Sequence, residues 1–367
     1  MLKVQVHAAD KGGCGFYRLI WPGRALGSQS SRVEVEVIEY DNPKARLQTM
    51  MMDTKTGPHV YSLMQPPDCD VIVLQRPLSQ ILVETIPFLQ KQGIAVVVEL
   101  DDDFEAMHPN HTAFLRTRPR WNPDHNWTWL KKACQQADMV TVSTPALARK
   151  FGAHGRCRLI PNYLPDMWFR LPRREPNALP VTGWAGLVTA HPNDLKQVGT
   201  AVKDAVNDGL TEVACVGTGA SVARDFGVEE VRASGWVPLQ DYPRALQAFD
   251  VGVVPLDLTP FNQAKSALKG LEFAAAGVPF VASPTEAYAE LRREYGLGIL
   301  ASRAEWQKRL RRLLTDPDYR EMRAEHGRET VAQHFRMADH LELWEEAWLA
   351  AADNAVSRAA KILAGYR

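Results

Sequence analysis

Short apolar runs and amphipathic stretches alternate along almost the whole chain, and that alternation leaves few folds open. Runs such as Val-Ile-Val-Leu-Gln (71–75), Ala-Val-Val-Val-Glu-Leu (95–100) and Met-Val-Thr-Val-Ser (139–143) carry apolar side chains on both sides of a strand. Such strands must be covered on both faces, which parallel sheets achieve with the helices that connect them. Strands are expected also at 3–8 and 34–39, and helix-bearing stretches at 41–52, 81–92, 124–136 and 145–151. A second series opens at 181, with strands at 181–184, 212–216, 231–236 and 251–255 and helices at 194–208 and 242–249. Three helices, 303–314, 319–334 and 338–364, close the chain. The pattern is that of an α/β protein. Between the two series lies Arg-Leu-Pro-Arg-Arg-Glu-Pro-Asn-Ala-Leu-Pro (170–180), whose prolines break helix and strand alike. With 367 residues, the chain has room for two cores at roughly 150 residues per domain.

Composition narrows the partners. A formal net charge of zero argues against strong non-specific attraction to nucleic acid or to a membrane surface. Five scattered cysteines without a Cys-x-x-Cys pair read as reduced thiols, and a cytoplasmic location is expected. The opening Met-Leu-Lys runs straight into a strand with no apolar leader, and no apolar run approaches the roughly 20 residues of a membrane span.

Chemistry concentrates between 255 and 283. A strand end is followed by Thr-Pro-Phe-Asn-Gln-Ala-Lys-Ser-Ala-Leu-Lys-Gly-Leu-Glu and then Ala-Ala-Gly-Val-Pro. A helix is expected to open at Ala264 or Lys265, which puts Lys265, Lys269 and Glu272 on one face at i, i+4 and i+7. The N–H groups and dipole of a helix N-terminus suit a diphosphate, and a carboxylate two turns on suits a ribose diol. Lys269 and Glu272 read otherwise as an ordinary solvated pair.

Glycine-rich turns mark the strand ends. Gly12-Gly13-Cys-Gly follows the first strand, where backbone is able to approach a ligand closely. Arg18 reads either as the cation for an anion there or as an ordinary helix-surface cation. Gly183-Trp-Ala-Gly186, with His191 and Asp194 beyond it, opens the second series, and Gly217-Thr-Gly219 and Gly235-Trp236-Val237 follow later strands. His191 reads as a phosphate contact, and Asp194 as the cap of the next helix. Glu99-Leu-Asp-Asp102-Asp103 ends the fourth strand, the end at which open parallel sheets bind ligands. Asp102 and Asp103 are the expected acceptor-facing pair; capping with solvated neighbours, or metal binding, are the alternatives. The stretch 116–129 is rich in arginine and tryptophan and suits stacking on sugars or bases. His108 and His111, just before it, are candidate general bases.

The order and spacing of these turns before Lys265 and Glu272 resemble GT-B glycosyltransferases, in particular retaining family 4, over nearly the whole chain and most closely from 138 to 283. The resemblance implies two Rossmann-like domains whose parallel sheets face a central cleft. It divides the chain into an acceptor-binding domain (1–165), a linker (166–180), a nucleotide-sugar domain (181–336) and a helix returning to the first domain (337–367), with Trp344 and Trp348 as anchors. It implies donor contacts at Gly12, Gly13, Gly186, His191, Gly217, Gly219, Trp236, Val237, Asn262, Lys265, Ser266 and Glu272. Catalytic roles fall to Lys265, Asp102 and Asp103, without a metal and with no cofactor beyond the nucleotide-diphospho-sugar. Retention in this family is expected to proceed by front-face attack, the departing phosphate taking the acceptor proton. The chain departs from the pattern at Ala264, where the family's Glu-x7-Glu motif begins, and at Leu187, where an arginine is usual. The Gly-Trp-x-Gly turn and the Phe-Asn-x-Ala-Lys-Ser loop also resemble phage glycosyltransferases acting on modified DNA bases or virion proteins, so the acceptor stays open among glycan, protein and modified DNA. A non-catalytic sugar-nucleotide or glycan-binding module is the remaining alternative.

Overall fold

In a computed structural model, which describes residues 1–55 and 57–365, the chain forms two compact units. The first comprises Met1–Glu105, Phe114–Asn162 and Met337–Arg367, and the second Ala106–Ala113 and Tyr163–Arg336. The first unit thus ends at Asn162 rather than 165, and 106–113 joins the second. Residues 366–367 of the expected returning segment lie outside the described residues.

The first unit holds a six-stranded sheet in the order Val33–Ile38, Leu2–His7, Val71–Gln75, Ala95–Leu100, Met139–Val142, Cys157–Leu159, with every pairing parallel. The strands Val71–Gln75, Ala95–Leu100 and Met139–Val142 are buried at every position. The edge strand Val33–Ile38 alternates instead. The long helix Glu342–Gly365 packs on the central strands, with Trp344 and Trp348 fully buried. Trp344 Nε1 donates to the Arg18 carbonyl at 2.9 Å.

In this unit one local expectation fails. Residues 41–52 do not form a helix: Pro43–Ala45 is a single 3-10 turn, and Thr49–Thr54 pairs antiparallel with Gly57–Leu63. Three methionines favour a helix locally. Tertiary contact decides otherwise, because Glu84 on the helix Gln80–Lys91 accepts from Val60 N at 3.0 Å and binds His59 Nδ1 at 2.7 Å.

The second unit repeats the plan: Arg232–Ala233, Glu212–Val216, Val181–Ala185, Val251–Val254, Phe280–Ala282, Ile299–Leu300, six parallel strands. The expected helix 194–208 is broken. A 3-10 turn, Leu195–Val198, and the helix Ala201–Asn207 are separated at Gly199, whose φ is +59°. Two helices not expected from the sequence, Gly219–Phe226 and Glu286–Tyr295, follow the second and fifth strands of this unit in chain order. The proline-rich 170–180 stretch is tied down within the unit, since Arg174 pairs with the buried carboxylate of Asp250 at 2.5 Å. All five cysteines are free. Among the described residues no helix is long and apolar enough to cross a membrane.

Candidate active site

The segment around Lys265 is built differently from a single helix. Thr259 caps the four-residue helix Pro260–Gln263, its Oγ1 accepting from Asn262 N at 3.3 Å. The chain then turns through 264–267, and the helix Leu268–Ala275 begins. The helix therefore opens at Leu268, not at Ala264 or Lys265, and Lys265 precedes it in the turn. Ser266 lies partly buried in the same turn. The Lys265 ammonium sits 4.5 Å over the buried Phe261 ring. His111 packs edge-on against that ring at 5.5 Å, so His111 belongs to this unit.

Inside the helix, Lys269 and Glu272 do not form a solvated pair. Glu272 is buried, and its Oε2 takes Lys269 Nζ at 2.8 Å and the Tyr242 hydroxyl at 3.3 Å. Lys269 also donates to the Tyr242 hydroxyl and lies 4.9 Å over its ring. Burial works against the charged form of Lys269, but Glu272 and then Tyr242 outweigh it and hold the pKa above its ordinary value. Burial, followed by Glu272, pushes the Tyr242 hydroxyl up. Tyr242 was not foreseen; its position at the start of the helix Tyr242–Leu246 gives no signal in sequence.

The two glycine turns meet. Gly186 N donates to Val216 O at 3.0 Å, and φ is +153° at Gly186 and +146° at Gly217. A Cβ on Gly217 would lie 2.4 Å from Gly186 O, so only glycine fits. Beside them, His191 Nδ1 meets Asp194 Oδ2 at 2.9 Å, and Trp184 packs edge-on against the imidazole at 5.9 Å. Asp194 makes no side-chain cap to the turn after it. The buried carboxylate instead joins two loops: Oδ1 accepts from Asn262 Nδ2 at 2.7 Å and from Asp257 N at 2.8 Å. Asn262 thereby positions Asp194 and, through it, His191. Burial lowers the His191 pKa; Asp194 acts to raise it, while Lys265 and Lys269 lower it.

Gly186, His191, Gly217, Asn262 and Lys265 thus share one neighbourhood, through direct contacts or, for Lys265, through its field at His191. Gly219 opens its helix against Ala233, which a Cβ would approach to 2.9 Å. Trp236 is 77% exposed and Val237 partly buried beside it.

The remaining candidates lie in the first unit. Asp10 Oδ1 accepts from Gly12 N at 2.7 Å and Gly15 N at 3.2 Å. The steric demand for glycine falls on Gly15, where a Cβ would meet Asp10 O at 2.0 Å, while Gly13 faces open space. Arg76, with φ +48°, pairs with Asp10 Oδ2. Asp101 Oδ1 is buried without a hydrogen-bond partner. Asp102 and Asp103 do not act as a pair: Asp103 is buried and both its oxygens are held by Lys150, at 2.6 and 2.8 Å. Arg18 fits neither expected role. Its guanidinium is buried, bidentate to Glu99 at 2.7 and 3.2 Å, and donates to Ile160 O at 2.6 Å and Asn162 Oδ1 at 3.0 Å. In the 116–129 stretch Trp121 is exposed, whereas Trp127 and Trp129 lie under Lys131 and Lys132 at 5.2 and 4.9 Å. Among the described residues no His, Cys, Asp and Glu cluster has the makings of a metal site.

Residues 197–346 match a family model described as glycosyl transferase-like. HepE from Anabaena, solved in complex with UDP and glucose, superposes with a TM-score of 0.62 at 14% identity, over 94% of this chain and 99% of that one. Sucrose-phosphate synthase from Thermosynechococcus elongatus gives 0.59 at 16% identity over 100% of both. TarM of S. aureus gives 0.53 at 12% identity, covering 76% of this chain; the chain spans about half of TarM, 54%. No curated protein matches in sequence. Paired parallel sheets of this kind are the GT-B fold. By fold the chain is of the GT-B class, and residues 197–346 carry a glycosyl transferase-like domain.

Proposed function

We propose that the chain transfers a sugar from a nucleotide-diphospho-sugar, bound by the second unit, to an acceptor bound by the first. The observation that carries the donor reading is the Glu272 carboxylate, buried and held by Lys269 and Tyr242 one turn into the helix after Lys265. A buried, oriented carboxylate is suited to a ribose diol, and the Gly186 and Gly217 turns with Lys265 are suited to the diphosphate. HepE, with UDP and glucose bound, supplies a precedent for the donor class on this fold. Transfer breaks the bond between the sugar C1 and the diphosphate oxygen and forms one from C1 to the acceptor oxygen. With retention, the acceptor proton passes to the departing diphosphate, whose charge Lys265 offsets. The reaction needs no metal in this reading, and the protein works in the cytoplasm.

The acceptor is assigned to the strand ends of the first unit, near Asp101 and Asp102, and to the 116–129 stretch. A modified-DNA acceptor, as in phage enzymes, is favoured by the exposed Trp121 with Arg120 over its ring at 5.3 Å. The test of the donor site is calorimetric. Lys265→Ala and Glu272→Ala are each expected to weaken nucleotide-sugar binding at least tenfold while the protein stays folded. Wild-type affinity in both variants refutes the site, and binding without turnover to any acceptor favours the non-catalytic module.

A further inference from the structure

We infer that the donor binds together with a proton, which His191 takes up and the buried Asp194 holds in place. The inference rests on the donor reading of the second unit. Its ground is a charge requirement at the Gly186 turn. A nucleotide-sugar diphosphate carries two negative charges. Leu187, the residue after the turn, brings no charge, and the Lys269 charge is engaged by Glu272. Lys265 supplies one charge; the group geometrically prepared to supply another is His191.

The preparation is visible in the hydrogen bonds. Asp194 is 1% exposed, and both of its oxygens are committed: Oδ2 to His191 Nδ1 at 2.9 Å, Oδ1 to Asn262 Nδ2 at 2.7 Å and Asp257 N at 2.8 Å. A carboxylate fixed on two sides keeps a proton on Nδ1 and leaves Nε2 as the nitrogen that titrates. The imidazole is 26% exposed and stands next to Gly186, whose absent Cβ would come 3.6 Å from His191 Cδ2. The charged groups acting on it are Asp194, Lys265 and Lys269, with the Trp184 ring edge-on against it. In the free protein, burial and the two lysines keep the ring neutral against the pull of Asp194. An arriving diphosphate cancels the lysine field and adds negative charge, so the imidazolium becomes the favoured form.

The experiment is titration calorimetry at pH 7 with UDP-glucose, UDP-N-acetylglucosamine, GDP-mannose and ADP-glucose. Each binding donor is measured in HEPES and in Tris, which differ in ionisation enthalpy. These diesters carry no phosphate group titrating near neutrality, so any proton taken up belongs to the protein. Wild type is expected to take up a proton fraction approaching one per donor, and His191→Gln to take up none and bind more weakly. Wild-type affinity should fall by up to about tenfold per pH unit above the free histidine pKa, and that slope should vanish in the variant. Binding without uptake, or uptake unchanged in His191→Gln, overturns this inference and leaves the donor site standing. A panel in which no donor binds overturns the donor reading and this inference together. The wild-type measurement stands even where the variant folds poorly.

Discussion

Arg18→Met should unfold the first unit early, and the size of the effect follows from what the guanidinium touches. It is 1% exposed and bidentate to Glu99, which is fully buried and also accepts from Thr141 Oγ1 at 2.5 Å. Methionine keeps the apolar stem and removes the charge. Glu99 is then a buried carboxylate without its counter-ion, a change that costs about 3–5 kcal/mol. At about 2–4 °C per kcal/mol for a unit of this size, the melting temperature should fall by about 6–20 °C at pH 7.5. The pH dependence has a definite sign. Burial pushes the Glu99 carboxyl above its ordinary value even with Arg18 opposing it. A carboxyl raised in the folded state binds its proton more tightly there than in the unfolded chain, so acid favours folding through this group. Without Arg18 the folded value rises further. The deficit of the variant should therefore be largest above that value and shrink as pH falls toward about 4.3, the ordinary glutamate range. Differential scanning calorimetry across pH 5–8 reads both effects. A variant that melts with wild type, or a deficit that grows on acidification, refutes the buried-pair reasoning. Lost donor affinity at unchanged stability would restore Arg18 as an anion ligand.

Other outcomes are open to direct measurement. Gly217→Ala should cost about 1–3 kcal/mol in denaturant melts, because its Cβ would press on Gly186 O in a backbone conformation only glycine adopts readily. EDTA should leave transfer unchanged, since Lys265 and the protonated His191 supply the positive charge; loss of activity restored by Mn²⁺ or Mg²⁺ would make Asp101 or Asp102 a metal ligand. Asp102→Asn, or trimming 116–129, should depress transfer in a radiolabelled-sugar assay while leaving donor affinity intact, and normal transfer by both would move the acceptor elsewhere. A salt titration separates acceptor classes, because affinity for DNA falls steeply through counterion release and affinity for a neutral glycan does not.

The two sheets were legible because their central strands are buried on both faces, which writes an apolar run into the sequence at each of them. The Thr49–Thr54 strand was not, because its residues face solvent and its pairing depends on Glu84, distant in sequence. Arg18 and Asp194 were misread for one physical reason. Local rules offer a charged residue a surface or a cap, and nothing nearby signals that Glu99 or Asn262 will be brought against it. The Lys265 segment separates the two kinds of inference most clearly. The one-face argument for Lys265, Lys269 and Glu272 needs an unbroken helix, and the chain breaks it at 264–267. Only the i, i+3 relation of Lys269 and Glu272 survives, because both lie within one helix, and there it became a buried contact completed by Tyr242. Lys265 reaches the same neighbourhood by another route, resting on Phe261 and placing its charge where His191 feels it. Residue types and order thus named groups that the fold keeps within one unit, while the single helix assumed for them is broken. The Asp194 carboxylate ties Asn262 to His191, a tertiary link that helical spacing does not encode.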